Sequence, residues 1–160
     1  MAENEAAAAD DDKRLSIVKI YLKDFSFESP QSPAVFQNDK WQPKTNLNLR
    51  TTHTDGGEGF HEVVLTLTVE AKDESADKTL FLVELQQAGL FEIRGYPAEE
   101  LAVVAGSFCP NLLYPYARES ISSVIQKGGF PEFVLQPINF DALFQQGRAN
   151  AAAEAQAAGS

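Results

Sequence analysis

The sequence predicts an α+β domain, in which a four-stranded antiparallel sheet is followed by a long kinked helix and a second, C-terminal helix. Between residues 15 and 91, apolar side chains recur at every second position, which is the period of a β-strand. From Pro97 onward they recur every three to five positions, as on one face of a helix. Short, turn-rich connections join the strand-like segments, so neighbouring strands are expected to run antiparallel. Strands followed by helices are the pattern of an α+β fold.

A long crossing segment separates the first two strands. Residues 15–28 form the first strand, and near its end Phe25 and Phe27 alternate with polar residues. After the Pro-rich break SPQSP, the crossing segment continues as VFQNDKWQP and leads to a short second strand. That strand has three side chains on one face: Thr45, Leu47 and Leu49. The DGGEG turn at 55–59 starts the third strand, and a polar segment then returns the chain as the fourth strand, 79–91.

The helical part begins at Pro97, which suits a first helical turn, and Gly128-Gly129 is a helix stop. Pro110 and Pro115 lie inside this stretch. Each proline removes a helix hydrogen bond, so the pattern predicts a kinked or broken helix. Asn139 is then a plausible N-cap for a second helix that begins FDALF.

The chain of 160 residues fits one domain with two tails. We expect residues 1–14 to be an acidic flexible tail, residues 15–144 to fold, and residues 145–160 to be an Ala-rich tail that is flexible or partly helical. The N-terminus lacks a basic region followed by an apolar stretch, so we expect no secretory signal and a cytoplasmic protein. The single cysteine, Cys109, allows no intrachain disulfide, which agrees with a reducing compartment.

The charge of the chain excludes one class of partner. It contains 23 acidic and 13 basic residues, a formal charge of −10, and its sequence pI is near 4.6. A nucleic-acid binder needs a basic surface to displace the counterions of phosphates, so no nucleic-acid partner is expected. The apolar runs fall far short of the roughly 20 residues that a membrane-spanning helix needs, so no direct membrane insertion is expected either.

Apolar residues on both faces of two strands predict self-association. They occur in the first strand (Ile17, Val18, Ile20, Tyr21 and Leu22) and in the fourth (residues 80–83). A sheet that is buried on both sides needs two covering layers. The two helices supply one layer, and a second copy of the chain is the most economical source of the other, which makes the protein a homo-oligomer.

The sequence carries no catalytic or cofactor motif. GGEGFHE at 56–62 has the glycines of a phosphate loop but no lysine, and it lies in a hairpin, where it is better interpreted as a turn. His53, His61 and Cys109 are the imaginable zinc ligands, but the last two are 48 residues apart, whereas zinc ligands have tight spacings. Cys109 has no adjacent base and precedes a proline in an apolar helix, which favours a buried, inert thiol over a nucleophile. No cofactor and no metal is therefore expected.

Asp24 and Glu28 are four residues apart on one strand and point to the same side. At about 3.3 Å per residue they would be about 13 Å apart, farther than the roughly 5 to 9.5 Å of a glycosidase pair. They cannot share one reaction centre. The remaining interpretations are a flat acidic binding surface or simply a solvated face.

Aromatic side chains also occur in segments that are predicted to be loops. Phe36 and Trp41 lie in the crossing segment, and GGFPEFVLQPI follows the long helix. An aromatic residue in a loop either fills the core or lines a groove, and the pattern favours the core. If these side chains are exposed, they suit loose binding of apolar peptide segments.

Several long strings together resemble the SecB family of bacterial protein-export chaperones. They are IYLKDFSFESP (20–30), VFQ (35–37), WQP (41–43), ELQQAGLF (84–91), CPNLLYPYARESI (109–121) and GGFPEFVLQPINFDALF (128–144). The resemblance covers essentially residues 15–144. It implies an ATP-independent chaperone without enzyme activity, a homotetramer built as a dimer of dimers, which holds unfolded precursor proteins in a translocation-competent state and delivers them to SecA for export.

The resemblance also implies roles for particular residues. The docking surface for the zinc-binding C-terminal segment of SecA would comprise Asp24, Glu28, Leu82 and Glu84. The tetramer interface would involve Val83, Leu85 and Gln87 on the opposite face of the fourth strand. Unfolded clients would bind a groove with Trp41, Phe130, Phe133 and Leu135, and with Phe36 and Leu143 as further candidates. Two alternatives stay open: a SecB-like chaperone or scaffold dedicated to one partner such as an antitoxin, and a small-molecule enzyme on a similar fold.

Overall fold

A computed structural model of the chain describes residues 12–38 and 40–159. The elements, in chain order, are β1 (Arg14–Glu28), α1 (Ala34–Gln37), β2 (Pro43–Gly57), β3 (Phe60–Asp73), β4 (Lys78–Arg94), α2 (Ala98–Val103), a π-helical turn (Val104–Phe108), α3 (Cys109–Lys127) and α4 (Phe140–Ala158). The predicted α+β class, with four antiparallel strands followed by helices, is confirmed. None of the helices in the described part of the chain is long and apolar enough to cross a membrane.

The strands form one antiparallel sheet in the order β1-β4-β3-β2. β1 and β2 are therefore the two edge strands, and the crossing segment, residues 29–42, carries the chain from one edge to the other. β2 extends through Gly57, well beyond the short strand that the alternation predicted. The reason is that Thr51 and His53, which follow Leu49 on the same side of the strand, are polar. The apolar alternation therefore ends before the strand does.

The two sides of the sheet differ in burial. On the side that α3 covers, which we call the inner face, odd-numbered residues of β3 from Val63 to Ala71 and of β4 from Phe81 to Ile93 are buried. On the other side, the outer face, polar residues such as Glu62, Thr66 and Glu84 alternate with them, although Val64 and Ala88 on this face are also buried. This period of two is the alternation expected of a sheet with one face in the core.

The sequence predicted a kinked or broken long helix, and the structure shows an unbroken one with a local irregularity. The chain stays helical from Ala98 to Lys127, and the one irregularity is the π-helical turn that precedes Pro110. In that turn the Cys109 N–H bonds to the Val104 carbonyl, one residue farther back than in an α-helix. Pro110 then lies in the first turn of α3, where a missing N–H is tolerated. Pro115 lies within α3, which continues past it.

The C-terminal helix docks through its first two turns. As predicted, Asn139 caps α4, and its side chain accepts a hydrogen bond from the Ala142 N–H at 3.0 Å. The ring of Phe144 packs over Gly106 of the π-helical turn, where an added Cβ would lie 2.5 Å from the ring. The helix then continues to Ala158 and so includes most of the Ala-rich tail. At the other end of the chain, the acidic tail lies outside the described residues up to position 11, and Lys13 pairs with Glu100 at 2.8 Å.

Candidate functional site

The pairing of β1 with β4 brings together the four acidic-surface residues that the sequence singled out. Glu28 lies directly opposite Leu82, and Ser26 lies opposite Glu84. Asp24 lies opposite Gln86, one row farther along. Since directly paired residues point to the same side of a sheet, all of these side chains lie on the outer face. Asp24, Glu28 and Glu84 are exposed and Leu82 is half-buried, so they form one accessible surface, which we call the acidic surface.

The sequence did not indicate that this surface continues onto β3. Glu70 lies opposite Leu82, and Thr68 lies opposite Glu84, so each row extends by one residue. Glu70 accepts a hydrogen bond from the Thr79 hydroxyl at 3.1 Å and lies 3.7 Å from the Lys72 ammonium group. Only the strand order, with β3 next to β4, shows that Glu70 adjoins Leu82.

A hydrogen-bonded cluster borders the acidic surface. The Tyr21 hydroxyl donates to Glu62, and the Lys23 ammonium group donates to the same carboxylate at 2.8 Å. Burial and the hydrogen bond to Glu62 raise the pKa of Tyr21 to about 12, while the bonds from Lys23 and Tyr21 lower the pKa of Glu62. Glu62 therefore stays ionised and paired, and within residues 12–38 and 40–159 the outer-face carboxylates without an ion pair, Asp24, Glu28 and Glu84, lie toward the end of β1.

An aromatic cluster joins the crossing segment to the connecting segment, residues 128–139. Phe130 is at its centre, with ring centroids 5.4 Å from Phe36, 5.5 Å from Trp41 and 5.0 Å from Phe81. The Trp41 indole N–H donates to the Val35 carbonyl at 3.1 Å and to the Asn38 carbonyl at 2.9 Å. These contacts fix the crossing segment against the sheet.

The predicted client-binding residues divide by exposure. Phe130 and Leu135 are buried, with 4% and 2% of their surfaces exposed, so in this conformation both are part of the core and are not open to a ligand. Trp41 and Phe133 are half-buried against that core, whereas Phe36 is 46% exposed. The crossing and connecting segments therefore combine core-filling aromatics with a partly accessible rim.

Leu143 lies elsewhere, in a cleft of about 540 Å³ between β2 and α4. The floor of the cleft is formed by Leu49, Thr51 and Ala105, and Leu143 and Phe144 form the α4 wall. Leu143 is 43% exposed. The cleft thus offers apolar side chains of the kind that an extended peptide segment would contact.

The edge strand β1 exposes a row of large apolar side chains. Four of them are more than a third exposed: Ile17, Val18, Leu22 and Phe25. Three of these lie on the inner face, since Ile17 pairs with Phe91, Leu22 with Gln87 and Phe25 with Leu85. An edge strand also leaves one row of backbone N–H and C=O groups without a strand partner. This edge is where the chain can bury more apolar surface against another copy.

The three residues that the resemblance assigns to the tetramer interface lie inside the protomer. Val83, Leu85 and Gln87 are 0%, 1% and 3% exposed. The Gln87 side chain donates to the Tyr21 carbonyl at 3.2 Å. Because they are buried, these three side chains cannot contact another subunit directly. Their role in assembly stays a prediction, and it requires that they act through the helices that pack on them.

The two histidines contact each other at the far end of β2 and β3. His53 Nε2 and His61 Nδ1 are 2.8 Å apart, so one of these nitrogens carries the proton that the other accepts. Burial lowers the pKa of His53, as does the charge that His61 would carry, while Asp55 acts in the opposite direction. Within residues 12–38 and 40–159 no group of three or more His, Cys, Asp or Glu side chains is arranged to hold a metal ion.

We expect the histidine pair to make stability depend on pH. Because the pKa of folded His53 lies below the ordinary value of 6.5, the unfolded chain binds more protons just below that pH, and the free energy of unfolding falls as the pH drops through 6.5. The decline ends below the folded pKa. Urea titrations between about pH 7.5 and pH 5.5 measure the slope, because Glu62 and Glu92 change charge only below about 4.5. His53→Gln should flatten it, and an equal slope in the variant would contradict the assignment.

Comparison with known proteins identifies the family. The family model described as preprotein translocase subunit SecB matches residues 8–151. The protein-export protein SecB of Alcanivorax borkumensis is 52% identical over 142 residues, which cover 88% of this chain and 90% of that protein. The protein-export protein SecB of Hahella chejuensis is 50% identical over 146 residues, which cover 91% and 89% of the two chains. The chain therefore belongs to the SecB family of protein-export chaperones.

A solved structure supports the fold. A Mycobacterium tuberculosis SecB-like chaperone, solved in complex with a ChAD peptide from the HigA1 antitoxin, matches with a TM-score of 0.66 and 18% sequence identity. The match covers 84% of this chain and 94% of that one. At this identity the likeness concerns the fold.

Proposed function

We propose that this protein binds unfolded precursor proteins without ATP, keeps them competent for translocation and delivers them to SecA. The observation that carries the proposal is the separation of two surfaces on one sheet. An acidic surface with one apolar residue, Leu82, lies on the outer face, and apolar, partly exposed side chains border the inner face. A carrier needs such a separation, because it has to hold its client while its receptor docks.

The acidic surface suits a basic, folded partner segment. Asp24, Glu28 and Glu84 supply charge for association rate and register, and Leu82 supplies an apolar contact between them. We assign this surface to the zinc-binding C-terminal segment of SecA, as the family resemblance implies. The assignment predicts that binding weakens as salt concentration rises.

The client surface combines the rim around Phe36, Trp41 and Phe133 with the cleft that contains Leu143. Both are mainly apolar, although the polar side chains of Thr51, His53 and Arg148 also line the cleft. Many weak contacts of this kind bind a long unfolded chain by avidity, whereas a folded client has buried its apolar segments and is released. Four copies of a −10 chain would carry a formal charge of −40, which favours clients with basic stretches and keeps the particle soluble.

The working particle is proposed to be a homotetramer built as a dimer of dimers, with the exposed row on β1 as one of its contacts. We expect Leu22→Lys to lower the particle mass, because it introduces a charge into an apolar edge that would be buried between copies. Sedimentation velocity measures the effect. Leu47→Lys is the matched control, since Leu47 is similarly exposed on β2, the other edge strand. A lower mass for the control alone would assign the contact to β2.

One experiment tests the proposed function. The purified protein is mixed with a model client released from denaturant, and the folding rate of the client is followed without nucleotide. We expect folding to slow in proportion to the amount of chaperone, and normal folding at saturating chaperone would refute the proposal. Because no cofactor is involved, added zinc or ATP should leave the result unchanged.

The dedicated-partner alternative is not favoured. The relatives at about 50% identity are protein-export proteins, whereas the chaperone solved with an antitoxin peptide is only 18% identical. No enzyme activity is proposed, because the family to which the chain belongs consists of protein-export chaperones. We place the protein in the cytoplasm, where precursor proteins are synthesised.

A further inference from the structure

One carboxylate fixes the point where the crossing segment becomes β2. The Asp73 side chain, at the end of β3, accepts a hydrogen bond from the Gln42 N–H at 3.1 Å. The Gln42 carbonyl accepts a second hydrogen bond, from the Glu74 N–H at 3.0 Å, so both backbone groups of Gln42 are bound at the start of the turn between β3 and β4. Gln42 directly follows Trp41, a residue of the rim. We call this pair of hydrogen bonds the Gln42 anchor.

The residue that follows Gln42 explains why a side chain is used at this point. Pro43 is the first residue of β2 and lies opposite Asp73 in the register with β3. Proline has no N–H and cannot donate a ladder hydrogen bond, which confines it to the ends and edges of sheets. The Asp73 carboxylate supplies an acceptor for the N–H one residue earlier, so the crossing segment is bound to the sheet before the ladder begins.

Asp73 is itself held in one orientation. The same carboxylate oxygen that binds Gln42 also accepts from the Ser75 hydroxyl at 2.7 Å and from the Ser75 N–H at 3.1 Å. The bonds from Ser75 and Gln42 lower the pKa of Asp73, so at neutral pH the side chain is ionised and can only accept hydrogen bonds. Hydrogen bonds to an ionised acceptor are stronger than those between neutral groups. The anchor is therefore a firm attachment although it lies near the surface.

Trp41 is held from two sides. Its indole N–H bonds to two carbonyls of the crossing segment, and its ring packs edge-on against Phe130. On the other side, the next residue in the chain is the one that Asp73 binds. Asp73 and Trp41 also border one small cavity of about 200 Å³, together with the buried side chains of Val35 and Leu80. The carboxylate and the indole thus belong to one local unit beside the rim.

We propose that Asp73 is a positioning residue for client capture: through Gln42 it holds Trp41 at the rim in the orientation that an apolar client segment contacts. The inference rests on the proposed function and adds a residue that lies outside the predicted client-binding set. Asp73 does not have to touch the client. Its contribution is pre-organisation, because a segment that is ordered before the client arrives does not have to be ordered by binding.

Trp41 is the single tryptophan of the chain, so its fluorescence reports directly on the rim. Emission and acrylamide quenching are measured on the full-length protein without client. We expect Asp73→Ala to shift the emission to longer wavelength and to increase quenching, because the indole loses its attachment through Gln42. Affinity for a labelled, permanently unfolded client that lacks tryptophan should fall about two- to tenfold in fluorescence anisotropy, the equivalent of ordering one side chain on binding.

Three further variants locate the effect at the Gln42 anchor. Asp73→Asn keeps an oxygen acceptor in the same place, so emission and affinity should stay near the wild-type values. Ser75→Ala removes one bond to Asp73 but leaves the bond from Gln42, and both readouts should again be near wild type. Glu74→Ala is the matched control for charge, because it removes one exposed carboxylate from the same turn and keeps the backbone N–H that binds the Gln42 carbonyl.

The outcomes are distinguishable. If the wild-type protein captures client and Asp73→Ala matches it in affinity or in Trp41 emission, the positioning role is wrong and the proposed function stands. An equal loss of affinity in Glu74→Ala also overturns the role, because the effect would then be one of charge. Loss of assembly in Asp73→Ala, measured by sedimentation velocity, would make the residue structural and overturn it as well. If the wild-type protein captures no client, the proposed function itself fails, whatever the emission of Trp41.

Discussion

Glu84→Lys should abolish docking of the SecA segment while client binding persists. Glu84 is exposed at the middle of the acidic surface, between Ser26 on β1 and Thr68 on β3. The substitution turns an attractive charge into a repulsive one, and truncating one partner of a buried interfacial charge pair already costs about 2–5 kcal/mol. We therefore expect affinity to fall at least about 30-fold in calorimetric titration with the zinc-loaded segment. Asp24→Lys should act in the same direction.

Glu154→Lys is the matched control for the charge change. Glu154 is exposed in the last turns of α4, and the substitution alters the net charge of the chain by the same amount. If this variant loses as much affinity as Glu84→Lys, docking depends on total charge and the acidic surface has no special role. If Glu84→Lys loses client binding together with docking, the two surfaces are not separate.

The second large effect concerns client capture. Trp41→Ala combined with Phe133→Ala should leave assembly intact and weaken capture of an unfolded client about tenfold or more, because each buried aromatic contributes about 1.5–3 kcal/mol of apolar contact. Fluorescence anisotropy with a labelled model client measures the affinity, and sedimentation velocity measures assembly. Unchanged capture would assign both side chains to the core.

Differences in exposure supply three comparison variants. Phe36→Ala and Leu143→Ala remove side chains that are 46% and 43% exposed, so capture should weaken with only a small change in stability. Phe130→Ala removes a buried ring from the aromatic cluster and should instead lower the free energy of unfolding by about 3–5 kcal/mol. A Phe130 variant of normal stability and poor capture would show that Phe130 contacts clients after all.

The strands could be predicted from the sequence where one face is buried. Phe25 and Phe27 do lie on one side and Asp24 and Glu28 on the other, because an apolar period of two records which face meets the core. The end of β2 could not be predicted, since polar residues occupy its inner positions beside the cleft. Nor could the π-helical turn, since local rules treat Pro110 and Pro115 as helix breakers and the helix continues past both.

The candidate sites were predictable to different degrees. Alternation alone puts Asp24 and Glu28 on one face, but their contact with Leu82 and Glu84 depends on β1 pairing with β4, which the order of strands along the chain does not specify. The same strand order adds Glu70 to the acidic surface. For the aromatic and apolar residues of the loops, the pattern favoured the core, which holds for Phe130 and Leu135, whereas Phe36 is exposed. Burial of a loop residue depends on long-range packing, so composition cannot assign it.

Cys109 lies at the junction of the π-helical turn and α3, fully buried, and burial raises the pKa of its thiol to about 12. At neutral pH the group therefore remains a buried, protonated thiol, which we expect to react slowly with maleimides and thiol-directed spin labels. The chain contains no other cysteine. A cysteine introduced at an exposed position of the rim or of the acidic surface would then be the one site that takes a spectroscopic label. The native protein thus already provides the background for distance measurements between those surfaces.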